Sequence, residues 1–205
     1  MAPRTGRLIV EGGVYHVLTR GNNHQAVFRH DADYRRYLEL LAAYAATHDL
    51  RVRHFVLMPT HVHLIVEPVA GESLSRAMRG LNLAYALYYQ KRYRYRGHLW
   101  QGRFKSLVLE PEALLEHGRY VELHPVRSGL VMDPSNYGCS SYPVYAHGVM
   151  SPLVEPHESY YRLGAGLPER QERYRELIRE GLRDQSIDPR LPLGSRRRGR
   201  PRKLQ

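Results

Sequence analysis

His61 and His63 flank Val62 inside the apolar run "LMPTHVHLIVEP". In an extended strand, side chains at i and i+2 share a face, about 6–7 Å apart. Two neutral imidazoles at that spacing can chelate one divalent cation. They can equally be two exposed histidines in a chain that contains twelve. A second stretch, "RYVELHP", places Tyr120 and His124 four residues apart, on one face if the segment is helical. A phenol there could serve as a nucleophile beside a metal-binding imidazole. Alternatively, Tyr120 fills a core and His124 caps the negative end of the helix dipole.

Such groups need a scaffold, and the hydropathy pattern supplies one. Residues 13–20 alternate as a strand, and "GNNHQ" follows as a turn. Residues 31–48 carry apolar side chains at helical spacing. Residues 51–58 and 61–67 read as two antiparallel strands joined by Pro59 and Thr60. A second helix is expected over 72–92, with Leu74, Met78, Leu81, Tyr85 and Tyr88 on one stripe. Residues 103–110 form a fourth strand, and 111–124 a third helix that begins with Pro111 and is ended by Pro125. The order β-α-β-β-α-β defines an α+β, ferredoxin-like split β-α-β: a four-stranded antiparallel sheet with two helices on one face, and an added helix carrying Tyr120. On this reading Val62, Leu64 and Val66 pack under the helices, while His61 and His63 lie on a face left open.

Three units are expected. Residues 1–132 form the domain with the histidines and the tyrosine. Residues 133–187 form an irregular extension with one amphipathic helix near 168–182. Residues 188–205 form a polar, disordered, basic tail.

The charge balance narrows the partners. Thirty-one Lys plus Arg oppose twenty Asp plus Glu, for a net charge of +11, and only Lys91, Lys105 and Lys203 are lysines. The planar guanidinium suits phosphate contact and base stacking, so nucleic acid is the expected partner. An arginine-rich proteome would produce the same bias. Nothing in the sequence approaches the roughly 20 apolar residues of a membrane span, and the start "MAPRTGRLIV" lacks the core of a signal peptide. The single cysteine, Cys139, excludes an internal disulfide. A cytoplasmic, nucleoid-associated protein fits these features.

Two basic segments stand out. "KRYRYRGHLWQGRFK" carries no acid, and its arginines, Arg92, Arg94, Arg96 and Arg103, could with Lys105 neutralise phosphates. Its aromatics, Tyr93, Tyr95, Trp100 and Phe104, can stack on splayed bases or fill a core. In the tail, Arg198-Gly199-Arg200-Pro201 resembles an AT-hook core, in which Arg198 and Arg200 would enter the narrow minor groove of A/T-rich duplex. A generic basic arm is the plainer alternative.

The ordered set "TRGNNHQAVF", "LMPTHVHLIVE", "GHLWQGRFKSLV" and "RYVELHPVRSGLV" resembles the IS200/IS605-like single-tyrosine (Y1, HUH) transposases, and among them the REP-associated tyrosine transposase branch. The resemblance runs from about Val14 to Ser141. It implies a metal-dependent endonuclease and strand transferase acting on single-stranded or hairpin DNA, as monomer or homodimer. His61 and His63 would bind Mg²⁺ or Mn²⁺, and Tyr120 would form a 5′-phosphotyrosine. His124 stands where the family offers Asn or Gln as third ligand, and Thr60 where it has Asn. Arg20 and Asn22 would border the site and touch DNA backbone. A non-catalytic DNA-binding descendant of such an enzyme is the alternative.

Overall fold

In the computed structural model the described residues are 12–183. Their main elements are β1 (Val14–Arg20), α1 (Asp31–Thr47), β2 (Leu50–Met58), β3 (His61–Pro68), α2 (Ser73–Tyr93), β4 (Lys105–Leu109), α3 (Leu114–Arg127), α4 (Tyr142–His147), α5 (Glu158–Tyr161) and α6 (Leu167–Arg183). Among the described residues, four strands form one antiparallel sheet in the order β2-β3-β1-β4. The expected ferredoxin-like arrangement is present.

Period-2 alternation divides the strands into two faces. Tyr15 and Val17 of β1, Phe55 and Leu57 of β2, and Val62, Leu64 and Val66 of β3 join α1 and α2 in the main core. Tyr37, Leu41, Leu74, Met78, Leu81 and Tyr85 supply the helical side of that core. The opposite face is not open, contrary to the sequence reading. Helix α3 lies across it and closes a second apolar cluster of Val14, Val56, Met58, Ile65, Leu109, Leu114 and Val121. His61 and His63 therefore sit under a helix, and His63 is only 4% exposed.

Pro125 does not end α3. The helix runs on to Arg127 and closes at Gly129, whose φ is +69°. There the Leu130 N–H donates to the Pro125 carbonyl and the Gly129 N–H to the Val126 carbonyl. That pair of bonds is a Schellman closure, for which glycine provides the left-handed residue. The close seating of α3 also depends on Gly118: a Cβ there would lie 2.6 Å from the His54 ring.

Residues beyond α3 wrap the outer edge of β2. The Leu57 N–H donates to the Cys139 carbonyl and the Ser141 N–H to the Phe55 carbonyl. Helix α6 then packs on α3, where Gly181 meets Arg119 and Leu123. The expected helix near 168–182 is thus present, and the extension around it contains further short helices rather than irregular chain alone. Among the described residues no helix is long and apolar enough to cross a membrane.

Candidate metal centre and tyrosine site

Strand β3 presents His61 and His63 toward α3, and α3 lowers His124 onto them. The three imidazoles each offer a nitrogen, and these atoms all lie within 4.8 Å of one another. His61 Nε2 and His124 Nε2 are 2.9 Å apart. The ring of Tyr120, one helical turn before His124, lies 5.8 Å from the His124 ring and 6.1 Å from the His63 ring, centroid to centroid. The guanidinium of Arg127 sits over that phenol ring at 5.5 Å. One chain thus brings together all four residues singled out from the two motifs.

The outer nitrogens of the histidine pair are held as well. His61 Nδ1 is 2.9 Å from the Thr60 hydroxyl, a contact that holds the ring. His63 Nδ1 is 2.8 Å from His16 Nε2. His16 is fully buried on β1, and its ring meets those of His117 and Tyr120 at 5.8 Å and 6.1 Å. Burial, with the positive charge His117 and His124 would carry, lowers the pKa of His16 to about 3. Burial, with His124 and Arg20, likewise brings His61 down to about 3. His63 is held well below its ordinary value by the same cause. His16, His61 and His63 are therefore neutral near pH 7, which leaves His61 and His63 each one ring nitrogen with a lone pair for a cation.

A second polar group holds the tyrosine helix from its other side. Glu122 is fully buried. It accepts from the Ser141 hydroxyl at 2.6 Å and the Tyr174 hydroxyl at 2.8 Å, and meets His54 Nδ1 at 3.0 Å. Those partners come from the extension, α6 and β2. Glu122 stands in the "RYVELHP" motif, where spacing gives it no role, and no local pattern pairs His16 with His63. The signal for His16 is a polar residue within the apolar first part of the strand pattern "VYHVLTR".

The expected DNA-contacting residues divide. Arg20 ends β1, paired with His61 across the sheet. With Leu18, Gln101, Gly102, Arg103 and Lys105 it lines a cavity of about 290 Å³ on the histidine face. Asn22 is half-buried, its N–H on the Leu99 carbonyl. Arg94 and Arg96 are exposed. Arg92 instead leans on the buried Asp33 at 3.3 Å and on Tyr93. The connector's aromatics face inward rather than outward. Tyr93 packs on Tyr89 and donates to Asp33, Tyr95 meets Tyr89, Trp100 donates to the Asn82 carbonyl beside Tyr85, and Phe104 is buried. Arg198 and Arg200 lie outside the described residues.

One sheet face thus carries a histidine pair, and the helix that covers it bears a tyrosine and a third imidazole. Residues 9–124 match the family model described as "Transposase IS200 like". The chain belongs to that family. Among solved structures, a REP-associated tyrosine transposase bound to a REP hairpin is similar in fold, at 17% identity and a TM-score of 0.59 over 76% of this chain and 92% of that one. A putative transposase from Deinococcus radiodurans is 18% identical over 58% of this chain and 96% of that one, with a TM-score of 0.42. No curated protein sequence matches the chain.

Proposed function

We propose that the protein nicks and rejoins single-stranded DNA at hairpin or palindromic repeats through a covalent bond to Tyr120. The observation that carries this reading is the convergence of Tyr120 with three imidazoles within one chain. Three imidazole nitrogens close together fit a divalent cation, so His61, His63 and His124 would hold Mg²⁺ or Mn²⁺. Such an ion, when bound, supplies Lewis-acid polarisation of a non-bridging phosphate oxygen.

The chain's own groups do the rest. The Tyr120 oxygen bonds to phosphorus as the bond from phosphorus to the 3′ oxygen breaks. The phenol gives up its proton, and the 3′ oxygen leaves with one as a hydroxyl. The product is a 5′-phosphotyrosine, whose phosphoester bond a second 3′-hydroxyl can exchange without ATP. Arg20, Arg103 and Lys105, around the cavity beside His61, supply positive charge for the entering strand. The exposed Arg94 and Arg96, and Asn22, would add contacts to the DNA backbone. In the tail, Arg198 and Arg200 would add minor-groove contact to A/T-rich duplex.

The test is incubation with hairpin-flanked single-stranded DNA and Mn²⁺, followed by denaturation. A covalent adduct that Tyr120→Phe abolishes is the expected result. Binding without adduct would assign a non-catalytic DNA-binding role, and cleavage surviving Tyr120→Phe would assign a metal hydrolase.

A further inference from the structure

We infer that His16 is a positioning residue that sets the tautomer and orientation of His63 for metal binding. The inference rests on the metal-centre reading above and adds to it a residue outside the three donors. His63 has two ring nitrogens. Its Nδ1 is taken by His16 Nε2 at 2.8 Å, which leaves Nε2 as the nitrogen available to a cation shared with His61 and His124. A ligand nitrogen must present a lone pair, so the His63 proton must reside on Nδ1. His63 then donates to His16 Nε2, and His16 in turn carries its own proton on Nδ1. In the opposite tautomer His63 Nε2 bears a hydrogen and cannot ligate. His16 is therefore the acceptor that selects the ligating form. Ligating histidines ordinarily use a carboxylate or backbone carbonyl for this purpose.

Packing does not explain His16. It is fully buried on a strand between Val14 and Leu18, where an apolar side chain would fit the alternation. Its Nδ1 has no hydrogen-bond partner among the described residues. A buried imidazole with one nitrogen unmatched is unfavourable, so it is the wrong choice for a purely structural core position. The sole side-chain hydrogen bond of His16 among the described residues points at His63. The matching device on the neighbouring ligand is the Thr60 hydroxyl on His61 Nδ1, at 2.9 Å.

The experiment uses the full chain and calorimetric titration with Mn²⁺. Wild type should bind, His16→Phe should bind about ten- to a hundredfold more weakly, and His16→Gln, whose side-chain oxygen can occupy the Nε2 position, should recover most of the loss. Thermal melts of the metal-free variants should stay near wild type, which separates orientation from folding. His16→Phe with wild-type affinity would overturn the inference while leaving the metal centre intact. Absence of Mn²⁺ binding in wild type would overturn the centre and this inference with it. If His16→Phe does not fold, long-range ¹H–¹⁵N spectra of Zn²⁺-loaded wild type decide the matter. Protons on Nδ1 of both His63 and His16 support the assignment, and a proton on His16 Nε2 refutes it.

Discussion

Replacing Glu122 tests whether the tyrosine helix is held in place by a buried polar knot. The carboxylate is fully buried and satisfies Ser141 Oγ, Tyr174 Oη and His54 Nδ1 at 2.6, 2.8 and 3.0 Å. Glu122→Ala leaves three buried groups without their acceptor and opens a void. Breaking such a group costs roughly 3–5 kcal/mol, out of a total of about 5–15 for an ordinary domain. At about 2–4 °C per kcal/mol for a chain of this size, the melting temperature should drop by roughly 6–20 °C. Glu122→Gln keeps the shape and one acceptor oxygen, so its cost should be about 1–2 kcal/mol. Urea titration followed by circular dichroism measures both. Because Tyr120 and His124 flank Glu122 on the same helix, adduct yield should fall in Glu122→Ala even at temperatures where the variant remains folded. An unchanged urea midpoint in Glu122→Ala would refute the network. A lowered midpoint with undiminished adduct yield would refute its part in positioning the tyrosine.

Other expectations follow from the same geometry. His16 and His63 are buried with folded-state pKa values below the unfolded value near 6.5, so the unfolded chain takes up protons first as pH falls. Stability should therefore be fully present above about pH 7 and decline as pH drops below 6.5, by about 1.4 kcal/mol per pH unit for each histidine, read by urea midpoints; a flat profile would contradict neutral burial. Three imidazoles without a carboxylate favour a borderline transition ion over Mg²⁺, so calorimetry should find Mn²⁺ bound more tightly than Mg²⁺, and His124→Gln should narrow the gap. Arg103→Ala or Lys105→Ala should weaken DNA binding across sequences and flatten the log affinity versus log salt slope by about 0.7–0.9 each; an unchanged slope would place the phosphates elsewhere. Gly118→Ala should destabilise the fold, because its methyl would meet the His54 ring at 2.6 Å; a wild-type melt would show that the ring can yield.

The sequence made local relationships legible and left distant ones hidden. Strand parity put His61 and His63 on one face, and helical spacing put Tyr120 and His124 on another, because both rules operate within a few residues. The element order, and hence the sheet, followed from hydropathy period. What it could not show was pairing across the fold. His16 reaches His63 only because β1 pairs antiparallel with β3 in the register that sets Leu18 against His63. Glu122 finds His54 across 68 residues and Tyr174 across 52. Pro125 reads locally as a stop, yet packing and the closure at Gly129 carry the helix past it. The aromatic connector allowed two readings, stacking on bases or filling the core, and only the distant partners decide: Tyr93 and Tyr95 pack on Tyr89, and Trp100 on Tyr85.

These hidden contacts bear on why the second sheet face is covered. An antiparallel sheet tolerates one solvated face, and α3 gives the main core only Leu123 and the flanking Leu115. Its second cluster is small, and its interface with the sheet is unusually polar: His16, His61, His63, His117, Tyr120 and His124 on one flank, His54 and Glu122 on the other. A helix held there for stability alone would be expected to bury apolar residues along its whole length. The fixed knot around Glu122 makes sense if the opposite flank must hold a phenol and an imidazole in register with two others. That arrangement ties the extension to the candidate site, since Ser141 and Tyr174 secure, through Glu122, the helix that carries Tyr120.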